Sequence, residues 1–176
     1  MTRARDVATQ GGLVLITNAT ATSAASITIN NCFSATYDNY LIVYNGNGAN
    51  TNTALNAALT SGGTPNSSNY YYAFMGLSSG GTTSNLIGNP ASSLAVTDLA
   101  GSEPNQISFV MNVHKPFLAR HTTFEIISSN SNGSMYTGRS GAGLHYVSSS
   151  YDGIIFGPPS PNTFSGNFKI YGYRNA

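Results

Sequence analysis

Hydroxyls apart, few side chains in this sequence could act as acids, bases, metal ligands or nucleophiles: six carboxylates, three histidines and one cysteine. The carboxylates are Asp6, Asp38, Asp98, Glu103, Glu125 and Asp152. Cleaving a glycosidic bond takes two of them flanking one linkage. Asp38 and Asp152 draw notice because each follows a tyrosine, in YDN and YDG, and each heads a strand-like run. Aspartate there commonly accepts backbone N–H groups of a turn, and that is the role expected of both. His114, His121 and His145 are too widely spaced for a helical metal motif. His114 and His121 flank Pro116, so facing strands would bring them near each other, but no further ligands are evident. Gly138 to Ala142 reads GRSGA, one residue short of a nucleophile elbow and without a strand–turn–helix context, so a glycine-rich loop is expected. No Gly-Lys-Ser/Thr closes a phosphate loop. Cys32 stands alone, which excludes an intrachain disulfide and leaves the role of a small buried hydrophobe. These residues predict a protein that is not an enzyme, with no metal and no cofactor.

The rest of the composition points the same way. Only 13 of 176 residues are charged, about 7%, where an ordinary domain has about 25%. Asn, Ser, Thr and Gly supply 80 of the 176. Such a surface is wetted by hydroxyls and amides and repels a copy of itself only weakly. A net charge of +1 is neither a nucleic-acid footprint nor a polybasic membrane patch. The longest apolar runs are about five residues, far below a membrane span, and Leu13 to Ile16 is too short for the core of a signal peptide. Synthesis in a cytoplasm is expected, with no partner among nucleic acids or membranes.

The elements that would position these residues read as strands. Residues 1–12 form an N-terminal arm, closed by Gly11 and Gly12 and holding Arg3, Arg5 and Asp6; its alternative is a frayed end. From residue 13 to 176 one β-domain is expected. SITIN alternates, and YDNYLIVY is continuous enough to cross the middle of a sheet. QISFVMNV places Ile107, Phe109, Met111 and Val113 inward, and TTFEIIS does the same with Phe124 and Ile126 while Glu125 faces out. Ala54 to Thr60 fits either a strand or a helical turn. Ser78 to Ser93 reads as a long Gly/Ser/Thr stretch broken only by Leu86 and Ile87. Asn132-Gly133 signals a hairpin, and PPSPNT at Pro158 to Thr163 cannot be a central strand. Nine or ten strands and no sustained 3.6-residue period predict an all-β, antiparallel, jelly-roll-like sandwich.

Tyrosines are the remaining binding feature. Tyr70, Tyr71 and Tyr72 are consecutive, so in a strand at least one leaves the core; Tyr136 and Tyr146 follow on later strands. Tyrosine among Asn, Ser and Gly suits a glycan or a subunit interface, while core filling is the plainer role.

Three patches resemble structural proteins of tailed-bacteriophage virions: TRARDVA in the arm, FSATYDNYLIVYN at Phe33 to Asn45, and YDGIIF with FSGNFKIYGYRNA at the C-terminal end. Residues 47–102 match nothing in that pattern. The resemblance implies a β-sandwich, usually trimeric, non-enzymatic and attached through its N-terminal end. A capsid decoration or cement protein on the outer surface of the head is the leading expectation. It would bind the major capsid protein or other virion proteins through Arg3, Arg5 and Asp6. A receptor- or carbohydrate-binding domain of a tail or head fibre is the alternative, with Tyr70, Tyr71, Tyr72, Tyr136 and Tyr146 meeting host surface glycan.

Overall fold

The computed structural model describes residues 12–47, 53–99, 106–131 and 136–174. The arm residues Arg3, Arg5 and Asp6 and the Asn132-Gly133 turn lie outside the described residues. The described residues form thirteen strands: β1 (Leu13–Ala24), β2 (Ile27–Ile29), β3 (Asn39–Asn47), β4 (Thr53–Ser61), β5 (Thr64–Pro65), β6 (Tyr70–Ser78), β7 (Thr83–Ala91), β8 (Leu94–Leu99), β9 (Ile107–His114), β10 (Arg120–Ser131), β11 (Tyr136–Ser149), β12 (Gly153–Gly157) and β13 (Phe164–Tyr173). No helix occurs among the described residues. Two antiparallel sheets pack as a sandwich. The larger runs β1-β13-β3-β9-β10-β11-β6-β7, and the smaller runs β2-β12-β4-β5 with β8 also paired to β4.

The alternation expected of β9 and β10 is observed. Ile107, Phe109, Met111, Val113, Phe124 and Ile126 are buried and Glu125 is exposed. Strand β3 lies inside the larger sheet, between β13 and β9. Its inward residues Tyr40, Ile42 and Tyr44 are fully buried. Phe156, from the smaller sheet, inserts among rings of the larger one: it stacks on Phe168 at 4.5 Å and meets Phe109 at 5.9 Å, while Tyr44 lies 4.6 Å from Phe168. Cys32 is buried, and desolvation pushes its thiol up to about 12, so it is an inert core residue.

One open alternative is resolved by the structure, and two segments differ from the sequence-based expectation. Ala54 to Thr60 is strand β4, with Leu55, Ala57, Leu59 and Thr60 buried. The Gly/Ser/Thr stretch contains a full strand, β7, paired antiparallel with β6; as an edge strand with one inner face it needs few large apolar residues. The GRSGA run is no loop but the middle of β11, pairing on one side with β10 and on the other with β6. Its glycines have a packing reason. A Cβ at Gly141 would run into the Ala73 carbonyl oxygen and the Phe74 ring.

The same device recurs across the larger sheet. The Tyr44 ring covers Gly46 and its cross-strand partner Gly166, Tyr72 covers Gly88, and Tyr37 covers Gly172. A ring laid along the sheet buries its own area and shields backbone that glycine leaves bare. Gly138, by contrast, has open space where a Cβ would stand. Gly141→Ala is therefore expected to lower the unfolding free energy by about 1–3 kcal/mol through overpacking. Gly138→Ala should leave it unchanged or raise it by about 0.4–1 kcal/mol through loss of unfolded-state freedom. Urea midpoints of the two variants measure the contrast directly.

Candidate functional site

Strands β6 and β11, with the segments that precede β6 and β12, bring a polar network into the core. His145 is fully buried, stacked on Tyr70 at 4.4 Å. Its Nε2 lies 2.9 Å from the Tyr151 hydroxyl, which accepts from Asn66 Nδ2 at 3.1 Å. On its other side Nδ1 faces the Asn69 carbonyl at 3.5 Å, so each ring nitrogen of His145 has a polar neighbour. Burial, with His121 nearby, lowers the His145 pKa from its ordinary 6.5 to about 4, and the imidazole is neutral at pH 7. Tyr70 is equally buried; its hydroxyl accepts from the Leu59 backbone N–H at 2.8 Å. The network surfaces at a depression of about 480 Å³ lined by Ser61, Thr64, Asn66, Ser149, Ser150 and Tyr151.

A second polar link joins the sheets. Arg139, inward-facing on β11, meets the Asp98 carboxylate of β8 through both terminal nitrogens, at 2.7 and 2.5 Å. Asn130 donates to the Asp98 carbonyl at 3.2 Å, and Arg139 Nε is buried with no partner.

The other candidates for chemistry are dispersed. Asp152 accepts from the Gly62 backbone N–H at 3.0 Å, the turn role expected of it. The Asp38 carbonyl accepts from Lys115 N–H at 2.6 Å. His114 sits 3.0 Å from Asn39 Oδ1 and 3.8 Å from Glu125 Oε2, while His121 packs on the Tyr146 ring at 4.2 Å. No three His, Cys, Asp or Glu side chains gather into a metal-sized group among the described residues.

The tyrosines separate. Tyr70 belongs wholly to the core, and Tyr72 is half-buried over Gly88, so neither is available as a surface platform in the way the run of three suggests. Tyr71 points the other way and meets Tyr146 edge-on at 6.2 Å, with His121 beyond. Tyr136 is exposed but stands ten residues from Tyr146 along β11, roughly 30 Å away at strand rise.

Tyr71, Tyr136 and Tyr146 share one surface: the outer face of the eight-stranded sheet. All nine exposed large hydrophobic residues of the described chain lie there: Leu13, Leu15, Met75, Leu77, Ile87, Val110, Ile127, Tyr136 and Tyr146. The cross-strand registers align Lys169, Val43, Val110, Ile127, Ser140 and Met75 in one row from β13 to β6. Beside it run Tyr171, Leu41, Asn112, Glu125, Ala142, Ala73 and Ile87. Alternation in the sequence identifies the inner set but not Met75, Leu77, Val110 or Ile127. Their signal is the failure of strict alternation in FVM, EII and FMGL, where both faces carry apolar residues.

Two outcomes follow from the polar groups. Removing the carboxylate with Asp98→Ala leaves a largely buried guanidinium unpaired and is expected to cost about 1–2 kcal/mol, reduced by the partial exposure of Asp98. Asp98→Leu with Arg139→Met should recover most of that loss in a denaturant titration. His145 binds a proton more readily unfolded than folded. Stability is therefore full above pH 6.5 and falls as pH drops from 6.5 towards 4, by about 3 kcal/mol. Urea midpoints between pH 7.5 and 4.5 should show this slope, and His145→Phe should flatten it.

No protein-family model matches the chain, and no curated protein sequence matches it either.

Proposed function

We propose that this chain is a non-enzymatic structural subunit of a tailed-bacteriophage virion. On this reading it is a capsid decoration or cement protein that assembles as a homotrimer on the outside of the head and holds capsid subunit junctions. The observation that carries the proposal is the outer face of the larger sheet, which gathers all nine exposed large hydrophobic residues of the described chain among polar residues and few charges. Monomeric proteins rarely leave apolar surface of that extent uncovered, and its usual meaning is a protein contact. The low charge of the whole chain fits a coat component that lies closely among neighbours. The resembling segments Phe33 to Asn45, Tyr151 to Phe156 and Phe164 to Ala176 contain Tyr44, Phe156, Phe164 and Phe168. In this fold those segments supply the aromatic centre of the sandwich.

A second reading has one observation in its favour. Tyr71, Tyr146 and His121 make an aromatic cluster on the outer face, and such rings bind sugars in a fibre tip that recognises host glycan. Copy number separates the two readings.

Quantitative mass spectrometry of purified particles is expected to find the chain at hundreds of copies per virion. About a dozen would assign it to a fibre, and absence from particles would overturn both readings. Charge-assisted hydrogen bonds contribute about 1.5–3 kcal/mol each. Arg3→Ala with Arg5→Ala is accordingly expected to weaken binding to undecorated heads tens-fold or more, and deleting residues 1–10 to abolish it while the β-domain stays folded. Full occupancy by the truncated protein would move the docking role from the arm to the sandwich.

A further inference from the structure

We infer that the outer face of the eight-stranded sheet is an interface between copies of this chain. The inference deepens the structural-subunit reading by naming what covers this face, and it rests on that reading only for where the assembled copies reside.

Area is the first argument. Eight strands about 4.8 Å apart span roughly 35 Å, and some nine residues at about 3.3 Å each span roughly 30 Å. The face is therefore about 1,000 Å² in plan, against about 800 Å² per partner in a standard stable interface. Charge is the second. Within the aligned rows the full charges are Lys169 and Glu125, one of each sign. A copy of the same face is not repelled, whereas a nucleic acid or an anionic bilayer finds almost nothing to pair with. The polar groups beside the apolar rows are Thr20, Asn167, Asn45, Ser108 and Ser129, aligned from β1 to β10. Amides and hydroxyls both donate and accept, so this row is chemically complementary to itself.

The third argument is that the sheet's edges are closed to self-pairing. Edge strand β1 has register shifts between Leu15 and Thr17 and between Ala21 and Ala24. At the other edge the register of β6 with β7 slips between Tyr70 and Tyr72, and β7 carries Pro90. Bulges and proline block strand addition at an edge. Association is thereby directed to the face. There a shallow notch of about 460 Å³, lined by Tyr71, Ile87, Ala142 and Leu144 among others, can receive a side chain of the next copy. Closed assemblies of two or of three copies both bury such a surface.

Sedimentation velocity of the full chain between 1 and 50 μM is expected to show an assembly. Ile127→Lys with Met75→Lys places like charges at the centre of the face and should weaken self-association about a hundredfold or more, leaving a monomer with an unchanged β-type circular dichroism spectrum. Ser140→Arg, which lies between those residues in the same row and removes no apolar group, is the second variant should the first fail to fold. A wild-type monomer at 50 μM overturns the inference, as does either folded variant assembling like wild type. A monomeric full chain that assembles once residues 1–11 are deleted overturns it too, since the chain's own terminal segment would then be the occupant. Particle incorporation is read separately: a monomer found in virions discards the interface and keeps the structural role, and an assembly absent from virions does the reverse.

Discussion

The packing of aromatic rings against glycines is the constraint on which this sandwich depends. Tyr44 reaches along β3 to cover Gly46 and the facing Gly166, so two strands of the larger sheet are fixed in register by one ring. That ring also contacts Phe109, Phe164 and Phe168, and Phe156 from the smaller sheet stacks on Phe168. Registry within the sheet and adhesion between the sheets are consequently set by one connected cluster. A one-residue slip of β13 would turn Phe168 and Ile170 to solvent and put Asn167 and Lys169 inside. The Tyr44 hydroxyl, donating to the Ser165 carbonyl at 3.0 Å, satisfies its buried end without help from water.

The inequality of the two sheets has consequences for the surface. Five short strands cover the inner face of eight longer ones, and at the β6–β7 end the rings of Tyr72 and Phe74 lie over the glycines of neighbouring strands. Strand β8 completes that end: Leu94 closes over Gly143, and Asp98 holds Arg139. Among the described residues nothing equivalent covers the opposite face, which keeps its apolar residues outward. A sheet with one covered and one open face ordinarily alternates apolar-in with polar-out. Here Val110 and Ile127 break that alternation at paired positions of adjacent strands, and Met75 breaks it in the same row on the far side of Ser140. The alignment, more than the exposure of any one residue, marks a surface rather than scattered apolar side chains.

Much of the fold was legible because its inner face obeys the period of two. Ile107 to Val113 and Phe124 to Ile126 alternate cleanly, and both segments occupy the places their alternation indicates. The failures have a single physical origin. Gly138 to Ala142 and Ser78 to Ser93 are rich in residues that mark turns when solvated, yet both segments carry strands here, and Gly141 and Gly88 within them lie beneath the rings of Phe74 and Tyr72. Whether a glycine bends the chain or makes room for a cross-strand ring depends on a residue of another strand, as Gly141 depends on Phe74 and Gly88 on Tyr72, and composition does not report that. The tyrosines fail for a related reason. Consecutive Tyr70 and Tyr71 must face opposite ways, but only the tertiary placement of His145 decides that Tyr70 is the buried one.

Scarcity of charge ties these features together. Most β-proteins protect sheet edges with lysine or glutamate and keep themselves soluble by net charge. With 13 charges in 176 residues, this chain has little of either device. Its edges rely on geometry instead: bulges along β1, and a bulge with Pro90 on β7. Geometric protection differs from charge in one respect. A lysine on an edge repels approach over a Debye length, about 8 Å at physiological salt, and so discourages neighbouring contacts as well. A bulge blocks hydrogen-bonded strand addition at its own position and leaves the adjoining face untouched. A sheet protected this way is closed along its edges and remains permissive across its face, which is the selectivity a subunit needs in order to pack against neighbours without polymerising strand to strand.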